Sequence, residues 1–337
     1  MLPLFLVIVG VLSACDSPEP GSPLWSIQGQ TMGTTYQVKI VDPPETADRT
    51  VIEAALEARL EKVNRQMSTY RADSDLSRFN QSRSTEWTAV PIPLRTVVDA
   101  ALEVSELSGG AFDVTVGPLV NLWGFGPGKQ EERVPAATEI EQALQRVGAR
   151  HLLTRSTPPA LRKKRPDLYV DLSAIAKGYA VDVLSLYLEE SGISRYLVEI
   201  GGEVRSGGTN PNGEVWRIAV ERPTPGQRAV LRTVALSERG MATSGDYRNY
   251  FVQDGRSYSH TIDPHTGSPV RNPPASVTVV ADSAMFADAM ATALTVLGPE
   301  AGFALAEQEG IAALFIRREG DTFTELATPL FREFMTE

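Results

Sequence analysis

Cysteine is all but absent: the 337 residues contain one, Cys15, so no internal disulfide can brace the fold. Positive charge is also in deficit. Lys and Arg number 32 against 42 Asp and Glu, a formal net charge of −10, and a nucleic-acid surface, which needs a basic stripe, is excluded. The one concentrated basic run, Arg162 to Arg165, lies between prolines and reads as a solvated turn. Histidine is scarce, with only His151, His260 and His265, which leaves few candidates for a base near neutrality. Repeats are missing, and no linker inside residues 25–337 is long enough to divide the chain.

What is present can build a full-sized core, with 42% hydrophobic and 22% charged residues. Alternating apolar positions predict a half-buried strand over 35–41, with Tyr36, Val38 and Ile40 on one side. Ile52, Leu56, Leu60, Val63 and Met67 recur at helical spacing and predict an amphipathic helix over 47–67. Further helices are expected over 94–107, 138–147, 174–190, 284–297 and 299–309. Strands are expected over 168–171, 196–200, 216–220, 230–236, 276–280 and 312–317, with a hairpin turn at 207–213. Strands following one another through the second half point to an α+β fold rather than a doubly wound sheet.

Two segments carry chemistry. In Ala281 to Leu294, ADSAMFADAMATAL, Asp288 and Thr292 stand at i, i+4 spacing, about 5–6 Å apart at Cβ. Oxygen ligands of this kind favour a hard cation such as Mg²⁺; the alternative is a helix start capped by Asp282 or Ser283 with Asp288 solvated. In Tyr169 to Gly178, YVDLSAIAKG, an apolar stretch runs into Asp171 and then a helix bearing Lys177, a layout suited to phosphate. Taken alone, that segment reads better as an N-cap at Asp171 or Ser173 with a solvated Lys177.

With these two, the motifs TMGTTY (31–36), MSTYRADSDLSRFN (67–80), GGAFDVTVGPLVNLWGFG (109–126), VDLSAIAKGYAVD (170–182), EIGGEV (199–204), ATSGDYRNYF (242–251) and SHTIDPHTGSPV (259–270) occur in an order that resembles the ApbE family, the FAD:protein FMN transferases. The resemblance implies a single large ApbE-like (T-fold-like) α+β domain over 25–337, with mixed or antiparallel sheets packed by helices. It also implies an activity, transfer of FMN from FAD to a Thr or Ser hydroxyl of an acceptor protein with release of AMP. By the same resemblance, Met32, Tyr70, Ala111, Phe112, Asp113, Asp171, Lys177 and Ile262 contact FAD. Tyr70 suits stacking on the isoalloxazine, and Met32 offers a thioether to an aromatic surface. The resemblance likewise implies that Mg²⁺ is held by Asp288 and Thr292, with backbone carbonyls of Ala174 and Ala291. His260 is the implied general base, its bland alternative being a loop histidine bonded to Asp263; His265 has no assigned role.

The first residues, MLPLFLVIVGVLSAC, form an apolar stretch too short to span a bilayer as a mature helix and read as a signal peptide over 1–14. Leu12 to Cys15 resembles a lipobox, so Cys15 is the expected lipidation site, with 15–24 a lipidated tether. Asp16 resembles an inner-membrane retention signal, placing the protein on the periplasmic face of the inner membrane. Acceptors implied by the family are subunits of Nqr- or Rnf-type electron-transfer complexes. Two alternatives share the same binding residues: a Mg²⁺-dependent FAD pyrophosphatase yielding FMN and AMP, and a flavin-binding lipoprotein without turnover.

Overall fold

The computed structural model, which describes residues 22–127, 132–224, 229–245, 249–271, 273–320 and 322–336, is built on an antiparallel sheet of eight strands. In spatial order these are Leu24–Thr31, Thr34–Val41, Tyr196–Ile200, Glu203–Gly207, Gly240–Gly245, Ser276–Ala281, Ala312–Glu319 and Thr322–Ala327. The helices are α1 (Arg49–Met67), α2 (Asp75–Gln81), α3 (Ile92–Leu107), α4 (Gly117–Leu122), α5 (Ala137–Leu144), α6 (Ala176–Glu190), α7 (Ala284–Gln308) and α8 (Pro329–Arg332). Cys15 and the expected signal peptide lie outside the described residues.

Successive side chains on a strand face opposite ways, and here both faces are covered. Val277, Val279, Ala313 and Phe315 join the large core shared with α1, α3, α6 and α7. Their neighbours Val280, Ala312, Leu314 and Ile316 face a second core, closed by the small sheet of Trp216–Glu221, Val230–Leu236 and Met335–Thr336. A third cluster packs Trp123 and Ile262 against Phe251 of the hairpin formed by Tyr250–Gln253 and Arg256–Ser259. The expected α+β architecture is thus realised, with every described ladder antiparallel.

The predicted helices form, two of them with a clear local cause. Asp48 caps α1 by accepting from Thr50 and Val51 N–H, and the five predicted apolar positions of α1 are all buried. The break expected between 297 and 299 is a kink in α7, where Gly298 adopts φ 79° ahead of Pro299.

Two expectations fail. Residues 168–171 join no sheet, because the Val170 backbone is bonded on both sides by the Asn80 side chain and Asp171 N–H goes to Val114 O. Arg162 to Arg165 is not a solvated turn: Ala160–Lys163 is a strand, and Lys163 is 1% exposed. The 207–213 turn does close as a short hairpin, through an antiparallel bridge between Thr209 and Val215 and Asn210 N–H to Glu214 O at 2.8 Å, although the strands it joins belong to two different sheets.

Helices α6 and α7 meet without side-chain spacers. A Cβ at Gly178 would lie 2.2 Å from the Ala284 carbonyl oxygen and 2.8 Å from the Asp288 Cβ. One turn on, Asp182 accepts from the Ala284 and Met285 N–H groups at the start of α7, each at 2.9 Å, and pairs with Arg205. Because the atom facing Gly178 is backbone, Gly178→Ala should force the helices apart at a cost of about 1–3 kcal/mol. Thermal unfolding would register this as a clear drop in Tm, and an unchanged Tm would show that the contact yields freely.

Candidate functional site

The α6–α7 contact assembles the centre of the site. Gly178 N–H donates to Asp288 Oδ2 at 3.0 Å, and the preceding residue, Lys177, places Nζ 4.0 Å from Asp288 Oδ1 and 2.5 Å from Glu203 Oε1. Asp288 and Glu203 are 5% and 3% exposed. Asp288 is therefore not the solvated helix-surface residue of the bland reading, although Ser283, one of the two caps that reading named, does cap α7. Burial raises the pKa of both carboxyls, with Glu203 pushed up to about 7, while Lys177 draws each back down. Among the described residues, Glu203 Oε2 is buried with no hydrogen-bond partner. Two buried carboxyls facing one lysine leave room for a further positive charge.

Thr292, one turn beyond Asp288, is half-buried, as is Ala174 in the turn leading to α6. The Ala291 carbonyl already accepts the Thr295 hydroxyl at 2.8 Å.

Tyr70 stands clear of the surface, 69% exposed, and its hydroxyl pKa is raised by partial burial and by Asp171. Tyr169 is perturbed by both Asp171 and Tyr70, so the three form one neighbourhood. Asp171 Oδ1 accepts the Ser173 N–H at 2.9 Å and hydroxyl at 2.5 Å, closing a local turn; neither residue is the N-cap of α6, which is Ile175 with no side-chain cap. Asp171 N–H to Val114 O, 2.7 Å, brings the Ala111–Asp113 turn alongside. Ala111 and Phe112 are buried. Asp113 accepts from the Thr115 N–H and hydroxyl and from Ala149 N–H, so its carboxylate holds the turn together. Beside it lies a groove of ≈ 650 Å³ lined by Gly109, Gly110, Asp113, Gly148 and His265.

Met32 occupies the tip of the first hairpin in a left-handed conformation, φ 50°, next to Gly33 at φ 74°, a pair suited to a two-residue turn. The tip adjoins the 201–202 turn before Glu203, where Gly201 N–H reaches Thr35 O at 3.1 Å. Ile262 is buried in the third cluster.

His260 lies in the same field as Lys177. Its pKa is lowered, first by burial and also by Lys177, against a raising effect from Asn249. Nδ1 stands 3.1 Å from the Asn249 carbonyl, which can only accept, so Nδ1 carries the hydrogen and Nε2 keeps its lone pair. His265, not His260, pairs with Asp263. Glu203 and Tyr169 escaped the sequence reading as site residues, although both fall in or beside quoted motifs.

A family model described as the ApbE family matches residues 32–315. The chain is 47% identical over 327 residues to the FAD:protein FMN transferase of Vibrio cholerae, covering 97% of this chain and 96% of that protein. Against the FAD:protein FMN transferase of Escherichia coli (strain K12) it is 40% identical over 330 residues, covering 95% and 93%. The solved structure of flavin transferase ApbE from Vibrio cholerae superposes with TM-score 0.87 at 47% identity, covering 93% of this chain and 99% of that one. The apo form of Pseudomonas stutzeri flavinyl transferase ApbE gives 0.86 at 44%, covering 94% and 98%.

A raised carboxyl pKa means that the folded state holds its proton more tightly than the unfolded chain. Stability from such a group falls as pH rises from the unfolded value, 4.5 for Glu203, through the folded value of about 7. Without divalent cation, Tm should therefore decline between about pH 5 and pH 7.5. Asp288→Asn, which keeps an acceptor for Gly178 N–H, should flatten that decline and raise Tm at the upper end. A lower Tm for Asp288→Asn at pH 7.5 would contradict this account.

Proposed function

The chain belongs to the ApbE family and transfers FMN from FAD to protein, and we propose that it does so with Mg²⁺, onto a Thr or Ser hydroxyl, releasing AMP. One observation carries the finer reading: Lys177 sits between the buried carboxyls of Asp288 and Glu203 and within the field of His260. An anion-binding cation, a candidate metal carboxylate and a candidate base therefore converge.

The donor set suits Mg²⁺. Asp288 is an anionic oxygen ligand whose burial calls for a cation, and Thr292 and the Ala174 carbonyl would complete an all-oxygen set. The Ala291 carbonyl, already bonded by Thr295, is the weakest member. The metal, when bound, would neutralise pyrophosphate oxygens as the bridging bond breaks. Lys177 supplies a second positive charge to the same phosphates.

In the proposed reaction the acceptor oxygen forms a bond to the FMN phosphorus, the bond from that phosphorus to the bridging oxygen breaks, and AMP leaves with the electron pair. The acceptor hydroxyl's proton passes to His260 Nε2, the nitrogen left free by the Asn249 contact. Tyr70 stacks on the isoalloxazine, Met32 and Ile262 pack against the cofactor, and the Ala111–Asp113 turn and Asp171 line its path. We further propose that the protein acts at the periplasmic face of the inner membrane, anchored through a lipid on Cys15, on subunits of Nqr- or Rnf-type complexes.

Incubation with FAD, Mg²⁺ and an acceptor peptide should add one FMN unit to the peptide by mass spectrometry. AMP and free FMN with the peptide unchanged would select the pyrophosphatase instead. His260→Ala should bind FAD and Mg²⁺ nearly normally yet lose about 10²–10⁴ in transfer rate. Since burial favours the neutral imidazole, the acid limb of the rate profile should fall below the ordinary histidine value of 6.5. Near-native transfer by His260→Ala would remove it from catalysis.

A further inference from the structure

Lys163 ends the Ala160–Lys163 strand and is 1% exposed. Lysine is almost never buried this completely unless paired, yet among the described residues no carboxylate lies within ion-pair distance of it. Asp167 is the acidic charge that acts on it, opposed by Arg83, and burial pushes its pKa down to about 8. Its Nζ donates to two main-chain carbonyls, Asn80 O at 3.1 Å and Ser82 O at 2.7 Å, and stands 4.9 Å from the Phe79 ring centre. Those carbonyls close the C-terminal end of α2, where helical carbonyls lack partners and the dipole favours a cation.

Both ends of α2 lead to the candidate flavin site. At its C-terminal end, Asn80 donates from Nδ2 to Val170 O and accepts Val170 N–H at Oδ1, both at 2.8 Å. A single side chain thereby supplies the ladder that 168–171 lacks and fixes the residue before Asp171. At the N-terminal end, the Ser74 and Ser77 hydroxyls donate to Ser68 O at 2.6 and 3.2 Å. Ser68 Oγ in turn accepts Tyr70 N–H at 3.2 Å. A methionine would fill the volume of Lys163 without burying a charge; what only a donor supplies is directional bonding to these two carbonyls.

We infer that Lys163 is a positioning residue for the flavin, locking α2 so that Asn80 sets the Tyr169–Asp171 segment and Ser74 and Ser77 set the loop bearing Tyr70. The inference rests on the reading that Tyr70 and Asp171 face FAD. It concerns neither the metal nor the base.

Flavin fluorescence titration of the full chain with FAD tests it. Lys163→Met should weaken FAD binding about tenfold, the scale of losing two hydrogen bonds, while kcat at saturating FAD stays within about twofold. Asn80→Ala, which keeps the carbonyl used by Lys163 but cuts the link to Val170, should weaken binding similarly, and it decides the matter if Lys163→Met does not fold. In a Tyr70→Ala background the Lys163→Met loss should shrink, because residues acting through one another are not additive. Native FAD affinity in folded Lys163→Met and Asn80→Ala would overturn the inference alone, as would losses that simply multiply with Tyr70→Ala. A native protein that binds no FAD would overturn the site reading and this inference with it.

Discussion

Everything at the site depends on two helices approaching closely enough to share a hydrogen bond. Gly178 leaves no side chain between α6 and α7, so its N–H can reach Asp288, and Lys177, the next residue back, is carried to the same carboxylate. Asp182, on the same face of α6 one turn later, receives the first N–H groups of α7. Contacts at positions 178 and 182 fix both the separation of the helices and their relative register. Sliding α7 by one residue would rotate Asp288 away from Lys177 by roughly 100°.

The charge balance follows from that packing. Asp288 and Glu203 share one lysine in a desolvated setting, an arrangement that costs stability unless a cation or protons arrive. A phosphate-handling centre benefits from such tension, since a ligand complex supplying both a metal and phosphates can rebalance every group at once. Glu203 Oε2, which has no partner among the described residues, is the structural trace of the imbalance.

Much of this was legible in the sequence because it is local. Helical spacing located α1, and the break read between 297 and 299 located the kink of α7. The spacing of Asp288 and Thr292 marked the candidate metal helix. What escaped depended on partners far along the chain. The 168–171 segment has strand composition, but its backbone is satisfied by Asn80, 90 residues away, and no periodicity reveals a side chain standing in for a strand. Lys163 sits in a basic run that looks hydrated, and only the fold shows two helix-end carbonyls waiting for it. Asp288 looked like a surface ligand because its alanine neighbours could equally face water or another helix.

The orientation of His260 has a further consequence. Its ring is held by a main-chain carbonyl, that of Asn249, whereas many catalytic histidines lean on a carboxylate side chain. The tautomer is therefore encoded in the path of the backbone and not in the identity of residue 249. Replacing that side chain leaves the instruction in place, while lengthening or shortening the hairpin between residues 249 and 260 erases it. For this histidine, loop length is the heritable trait.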